Sequence, residues 1–111
     1  MNPKYGLSEK TVETIRSVFL QHPEIDRAIL FGSRAKGTFK PGSDIDLALL
    51  GRNLTQKTLN HLYEELDDLP IPYEFSFVLS DKITDPDVAA HIQRVGIVFY
   101  DKENAATKIS A

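Results

Sequence analysis

The sequence predicts an α/β (α+β) fold, a four-stranded mixed sheet with helices packed on it, in one domain of 111 residues. Short apolar runs of strand character are interleaved with stretches of helical period, in the order helix, strand, loop, strand, helix, strand, helix, strand. Hydrophobic residues make up 41% and charged residues 26%, enough apolar material for one core and too much for a disordered chain. At this length a second core has no room beside the first.

Each element has a local reason. Ser8 is a suitable N-cap, and Val12, Ile15, Val18 and Phe19 line the apolar side of the helix it starts. His22-Pro23 stops that helix, because a residue before proline is pushed out of the α region. Arg27 to Phe31 reads as a short buried strand ending at Gly32. A loop rich in glycine and basic residues follows to Ser43, with room for one helical turn over 33–36. Asp44 to Leu50 is expected to form the second strand. Thr55 to Asp68 forms an amphipathic helix with Leu59, Leu62, Tyr63 and Leu66 in register, and Pro70 and Pro72 end it. In the third strand, Tyr73 to Leu79, the alternation puts Tyr73, Phe75, Phe77 and Leu79 on one face and Glu74, Ser76 and Val78 on the other. Asp85-Pro86 starts a last helix carrying Val88, Ile92 and Val95. Gly96 ends it, and Ile97 to Tyr100 is the fourth strand. The core is placed at about 8–100, with 102–111 as a tail.

Composition removes several function classes. A net charge of -3 gives no basic surface for wrapping a nucleic-acid backbone. The absence of cysteine excludes disulfide frameworks, thiolate zinc sites and cysteine nucleophiles. The first residues carry no apolar signal segment, and no apolar run approaches the roughly 20 residues that span a bilayer. A cytoplasmic protein is the expectation.

The stretch with chemistry in it runs from Gly32 to Asp46. A strand that ends in Gly-Ser and turns into a helical start presents backbone N–H groups to an anion. Gly32 admits close approach of a phosphate, the Ser33 hydroxyl can donate to it, and Arg34 and Lys36 add positive charge. Asp44 and Asp46, two apart on a strand, point to one side, while Ile45 and Leu47 point into the core. Two carboxylates held this way repel unless a hard cation such as Mg²⁺ sits between them and the phosphates.

Gly-Ser-x-Ala-x-Gly over 32–37, a spacer, and Ser-Asp-x-Asp-Leu over 43–47 resemble the signature of the DNA polymerase β-like nucleotidyltransferases. The small size and element order are similar to minimal nucleotidyltransferase (MNT) proteins of the MntA-like antitoxin type. The resemblance spans about Ser8 to Tyr100 and implies the nucleotidyltransferase fold. It also implies phosphate contacts at Gly32 and Ser33 and metal ligation by Asp44 and Asp46, with Arg34, Lys36 and Ser43 completing the nucleotide site. The implied cofactor is Mg²⁺, with ATP or another nucleoside triphosphate as substrate. The implied acceptor is a hydroxyl, on a tyrosine or serine of a HEPN-domain toxin partner. Direct nucleic-acid or membrane binding is not expected, and a homo-oligomer stays open.

One departure bears on activity. Related enzymes use a third carboxylate on a neighbouring strand to favour deprotonation of the attacking hydroxyl. The matching position here is Ser76, which can act neither as base nor as a strong ligand. Glu74, about 7 Å away along the strand, is the nearest substitute and completes the catalytic set with Asp44 and Asp46. A weak or inactive antitoxin that acts by contact alone is therefore the alternative reading. Modification of a small molecule is disfavoured, since it usually needs a further domain. His22, His61 and His91 share no spacing and read as structural. Tyr63 reads as packing, Lys40 as a solvated loop charge, and the acidic end of the third-strand lead-in helix (Glu64, Glu65, Asp67, Asp68) as a solvated face.

Overall fold

The computed structural model describes residues 4–103 of the chain. After a 3-10 turn at Lys4–Gly6 come α1 (Glu9–Leu20), β1 (Arg27–Phe31), α2 (Gly32–Lys36) and β2 (Ile45–Leu50). Then follow α3 (Gln56–Asp67), β3 (Phe75–Leu79), a second 3-10 turn at Ser80–Lys82, α4 (Pro86–Val95) and β4 (Ile97–Asp101). The part of the expected tail at 104–111 lies outside the described residues. Among the described residues no helix is long and apolar enough to cross a membrane.

The capping residues act as their chemistry suggests. The Ser8 hydroxyl accepts from the Thr11 amide at 3.1 Å, and the Asp85 carboxylate accepts from the Asp87 amide at 2.9 Å, with Pro86 opening the helix. Two strands start later than the apolar pattern suggests. β2 begins at Ile45, leaving Asp44 just ahead of it, and β3 begins at Phe75, leaving Tyr73 and Glu74 in its lead-in. Proline at 72 supplies no N–H, so ladder pairing cannot reach back to it.

The four strands form one mixed sheet in the order β3-β2-β1-β4. β1 is antiparallel to β2 and to β4, whereas β2 and β3 run parallel, with α3 making the crossover. Ala28, Leu30, Ile45, Leu47, Leu49, Phe77, Leu79 and Phe99 bury the core face against Ile15 and Phe19 of α1 and Leu59, Leu62 and Leu66 of α3. Phe19 is at the centre, edge-on to Phe77, Phe99 and Tyr100 at centroid separations of 6.1, 6.4 and 5.6 Å. The Tyr63 hydroxyl accepts from the Phe77 amide at 2.9 Å, which occupies a donor on the open edge of β3. At the end of α1, His22 Nε2 and Glu65 Oε1 of α3 hydrogen-bond at 2.8 Å, so part of the acidic end of α3 is engaged within the chain.

α4 differs from the other long helices. It lies by β1 on the opposite side of the sheet, where a side chain at Gly96 would strike Ile92 O and Ile29. None of its residues is buried, and Val88 is 37% exposed. The apolar residues that mark it as amphipathic therefore cover the sheet only lightly.

Truncating Phe19 removes the ring on which both helical and sheet layers converge. Phe19→Ala is expected to cost about 3–5 kcal/mol of stability, read as a lower urea midpoint. A loss below about 1 kcal/mol would show that the core does not centre there.

Candidate functional site

The site lies on the sheet face opposite the core. Ile45, Leu47 and Leu49 are fully buried, and strand alternation turns Asp46 the other way. The ladder register then sets a row across three strands: Phe31 of β1 opposite Asp46 of β2, and Asp46 opposite Ser76 of β3. Serine thus stands directly beside the inner aspartate. Glu74 precedes β3, two residues before Ser76. Its backbone carbonyl accepts from the Ile45 amide at 2.9 Å, and its side chain is exposed ahead of β3.

Gly32 closes the row at the end of β1. Its φ of 73° lies in the left-handed region, and any side chain there would collide with the Asp46 carboxylate. Asp46 therefore rests against bare backbone at the start of α2. Ser33, the next residue of α2, is half-buried, while Lys36 is exposed on the last turn of this short helix.

Arg34 takes a different position from its two neighbours. It is 3% exposed, and its guanidinium donates through Nε and Nη2 to the Ser43 carbonyl at 3.1 and 2.8 Å, and through Nη1 to the Tyr5 carbonyl at 2.8 Å. The Phe39 and Tyr73 rings lie 5.2 and 5.0 Å from it. Planar donors and ring stacking together are an arginine property that lysine does not share. The side chain ties α2, the loop before Asp44, the N-terminal turn and the β3 lead-in to one point. Ser43 also closes its own turn, its Oγ accepting from the Lys40 amide at 2.8 Å. These bonds fix the backbone one residue before Asp44.

The carboxylates are electrostatically uncomfortable. Burial pushes the Asp46 pKa above its ordinary value of 3.8 and the charge on Asp44 pushes it further, while Arg34 and His91 pull it back. Among the described residues, no lysine or arginine forms an ion pair with Asp44 or Asp46. No third His, Cys, Asp or Glu among the described residues joins them in a metal-holding cluster. Two protein carboxylates with open surroundings suit Mg²⁺, which retains waters and is completed by substrate phosphates. They do not amount to a cage built from protein alone.

His91 belongs to the site although its sequence spacing gives no hint of it. Its Nε2 lies 3.3 Å from the Gly32 amide, which donates to it, and its ring stands edge-on to Phe31 with centroids 6.3 Å apart. The lone signal available in the sequence was its place on the inner turn of α4, beside Ile92. That signal is uninformative until the helix is docked over β1.

A mixed four-stranded sheet with a Gly-Ser turn and a coupled aspartate pair at one end defines a nucleotidyltransferase-fold domain. Residues 13–105 match the profile described as Polymerase beta, Nucleotidyltransferase, and the chain belongs to that family. No curated protein sequence matches it. Among solved structures, it resembles a chain of a toxin–antitoxin crystallised with AMP-PNP, with a TM-score of 0.68 and 20% identity over 85% of this chain and 76% of that one. A mutant toxin–antitoxin MntA-HpeT gives a TM-score of 0.66 and 19% identity, covering 87% of this chain and 82% of that one. A tri-AMPylated Shewanella oneidensis HEPN toxin in complex with MNT antitoxin gives 0.56 and 15%, covering 86% and 77%. At these identities the likeness establishes a common fold.

Because folding raises the Asp46 pKa, the folded chain holds that proton more tightly than the unfolded chain. The stability it contributes is present below 3.8 and is lost as pH rises through the folded value, so at neutral pH the ionised group opposes folding. Asp46→Asn is expected to raise the Tm of the metal-free protein at pH 7, by roughly 4–8 °C per kcal/mol relieved. Scanning calorimetry in chelator checks this; a lower Tm for the variant would contradict it.

Proposed function

We propose that the chain binds a Mg²⁺–nucleoside triphosphate, ATP foremost, and transfers the nucleoside monophosphate to a hydroxyl on a HEPN-type toxin partner, as an antitoxin. One observation carries this reading most: a like-charged aspartate pair that forms no ion pair with an arginine or lysine among the described residues, its Asp46 pressed against the bare backbone of Gly32. The names of the similar structures supply the rest, one a toxin–antitoxin with AMP-PNP and another an AMPylated HEPN toxin with its MNT antitoxin.

In this reading Asp44 and Asp46 hold the divalent ion, which when bound withdraws charge from the phosphates. Gly32 and Ser33 donate to the triphosphate, and Lys36 adds charge from the exposed last turn of α2. Ser43 and Arg34 act at one remove: the guanidinium is committed to carbonyls and sets the loop that delivers Asp44. The acceptor oxygen attacks the α-phosphorus, the bond to pyrophosphate breaks, and the hydroxyl proton passes to solvent. Solvent takes it because Ser76, beside Asp46, has no carboxylate to receive it. Transfer is accordingly slow.

The same serine favours a second reading, in which the chain neutralises its partner by contact without transfer. Incubation with labelled ATP, Mg²⁺ and the HEPN-type partner separates the two. Label on the partner that disappears with Asp46→Asn supports the transferase, whereas a tight complex without label supports contact alone. Ser76→Asp is expected to raise transfer by about 10²-fold, the lower range for a positioned proton acceptor. No gain on this substitution would contradict the role assigned to position 76.

A further inference from the structure

We infer that His91 is a built-in stopper of the nucleotide site, so that its imidazole must leave the Gly32 amide before a triphosphate is held. The inference rests on the nucleotide-binding reading above and concerns the regulation of that same site.

The Gly32 amide is a single donor and makes one full hydrogen bond at a time. In the folded chain it donates to His91 Nε2 at 3.3 Å, so the imidazole presents a lone pair there and acts as acceptor. A phosphate oxygen approaching Gly32 needs the same N–H. The imidazole is held in place by its edge-on packing against Phe31, the residue opposite Asp46 in the ladder. It therefore stands where the Gly-Ser turn meets the aspartate row, on a donor that a triphosphate would need.

Two properties make the stopper removable. The bond is long, at 3.3 Å, whereas a phosphate oxygen is a charged acceptor and makes the stronger bond. His91 is only partly buried on a helix with no fully buried residue, so a turn of its side chain frees the amide without unpacking the core.

Calorimetric titration of the full chain with Mg–ATP tests this, using wild type, His91→Ala and His91→Phe. The phenylalanine variant keeps a ring against Phe31 but cannot accept from Gly32. Both variants are expected to bind Mg–ATP about fivefold more tightly, the scale of one net hydrogen bond. Unchanged affinity in both, or weaker affinity in both, overturns the stopper; weaker binding would make His91 a phosphate contact instead. If wild type and both variants fail to bind Mg–ATP while folded by circular dichroism, the nucleotide-site reading itself fails and takes the stopper with it. Binding by wild type that is lost in Asp46→Asn, with no gain in the His91 variants, leaves the site standing and removes the stopper alone.

Discussion

Ile45, Leu47 and Leu49 are buried in the core, and that burial determines where Asp46 can point. A slip of one residue in the β2 register would drive the carboxylate into the apolar layer and bring three large side chains to the surface. The penalty for that exchange is far greater than the discomfort of a half-buried charge, so the core holds Asp46 in a place it would not adopt for its own sake. The parallel pairing with β3 and the antiparallel pairing with β1 then turn one pinned residue into a row.

Rigidity in the preceding loop comes from a different source. Segment 37–44 has no ladder and contains two glycines and a proline, yet its end is fixed by the Arg34 fork on Ser43 and by the Ser43–Lys40 turn. The same guanidinium holds Tyr5, whose φ of 58° is unusual for a residue with a side chain. Burying a charge without a carboxylate partner is tolerable because three hydrogen bonds and two ring faces replace its water. The site is thus supported from below by the core and from the side by one arginine.

Much of this was legible in the residues. Ser8, Asp85-Pro86, the apolar run of β1 and the alternations in β2 and β3 located the helices and strands, because capping and period are local properties. Gly32-Ser33 and Asp44-x-Asp46 marked out the candidate site, because a misfit in an otherwise apolar strand stands out. What the sequence did not yield was non-local. Arg34 looked like a phosphate ligand by its charge, and only the docked loop and turn show its donors committed elsewhere. His91 looked structural because nothing in its spacing says which side of the sheet α4 covers. The amphipathic pattern of α4 equally suggested a buried stripe, whereas the helix lies lightly at β1. The exposure of Glu74 followed from β3 starting two residues late.

The central claim is that a divalent cation and a triphosphate meet at the aspartate row beside Gly32. Paramagnetic broadening tests it directly, by adding Mn²⁺ and ATP in small amounts to isotope-labelled protein. The amide signals of Gly32, Ser33, Asp44, Ile45 and Asp46 are predicted to fade first, with Ser76 close behind. Earliest fading at the acidic end of α3, over Glu64 to Asp68, or equal loss across the chain, would contradict the account.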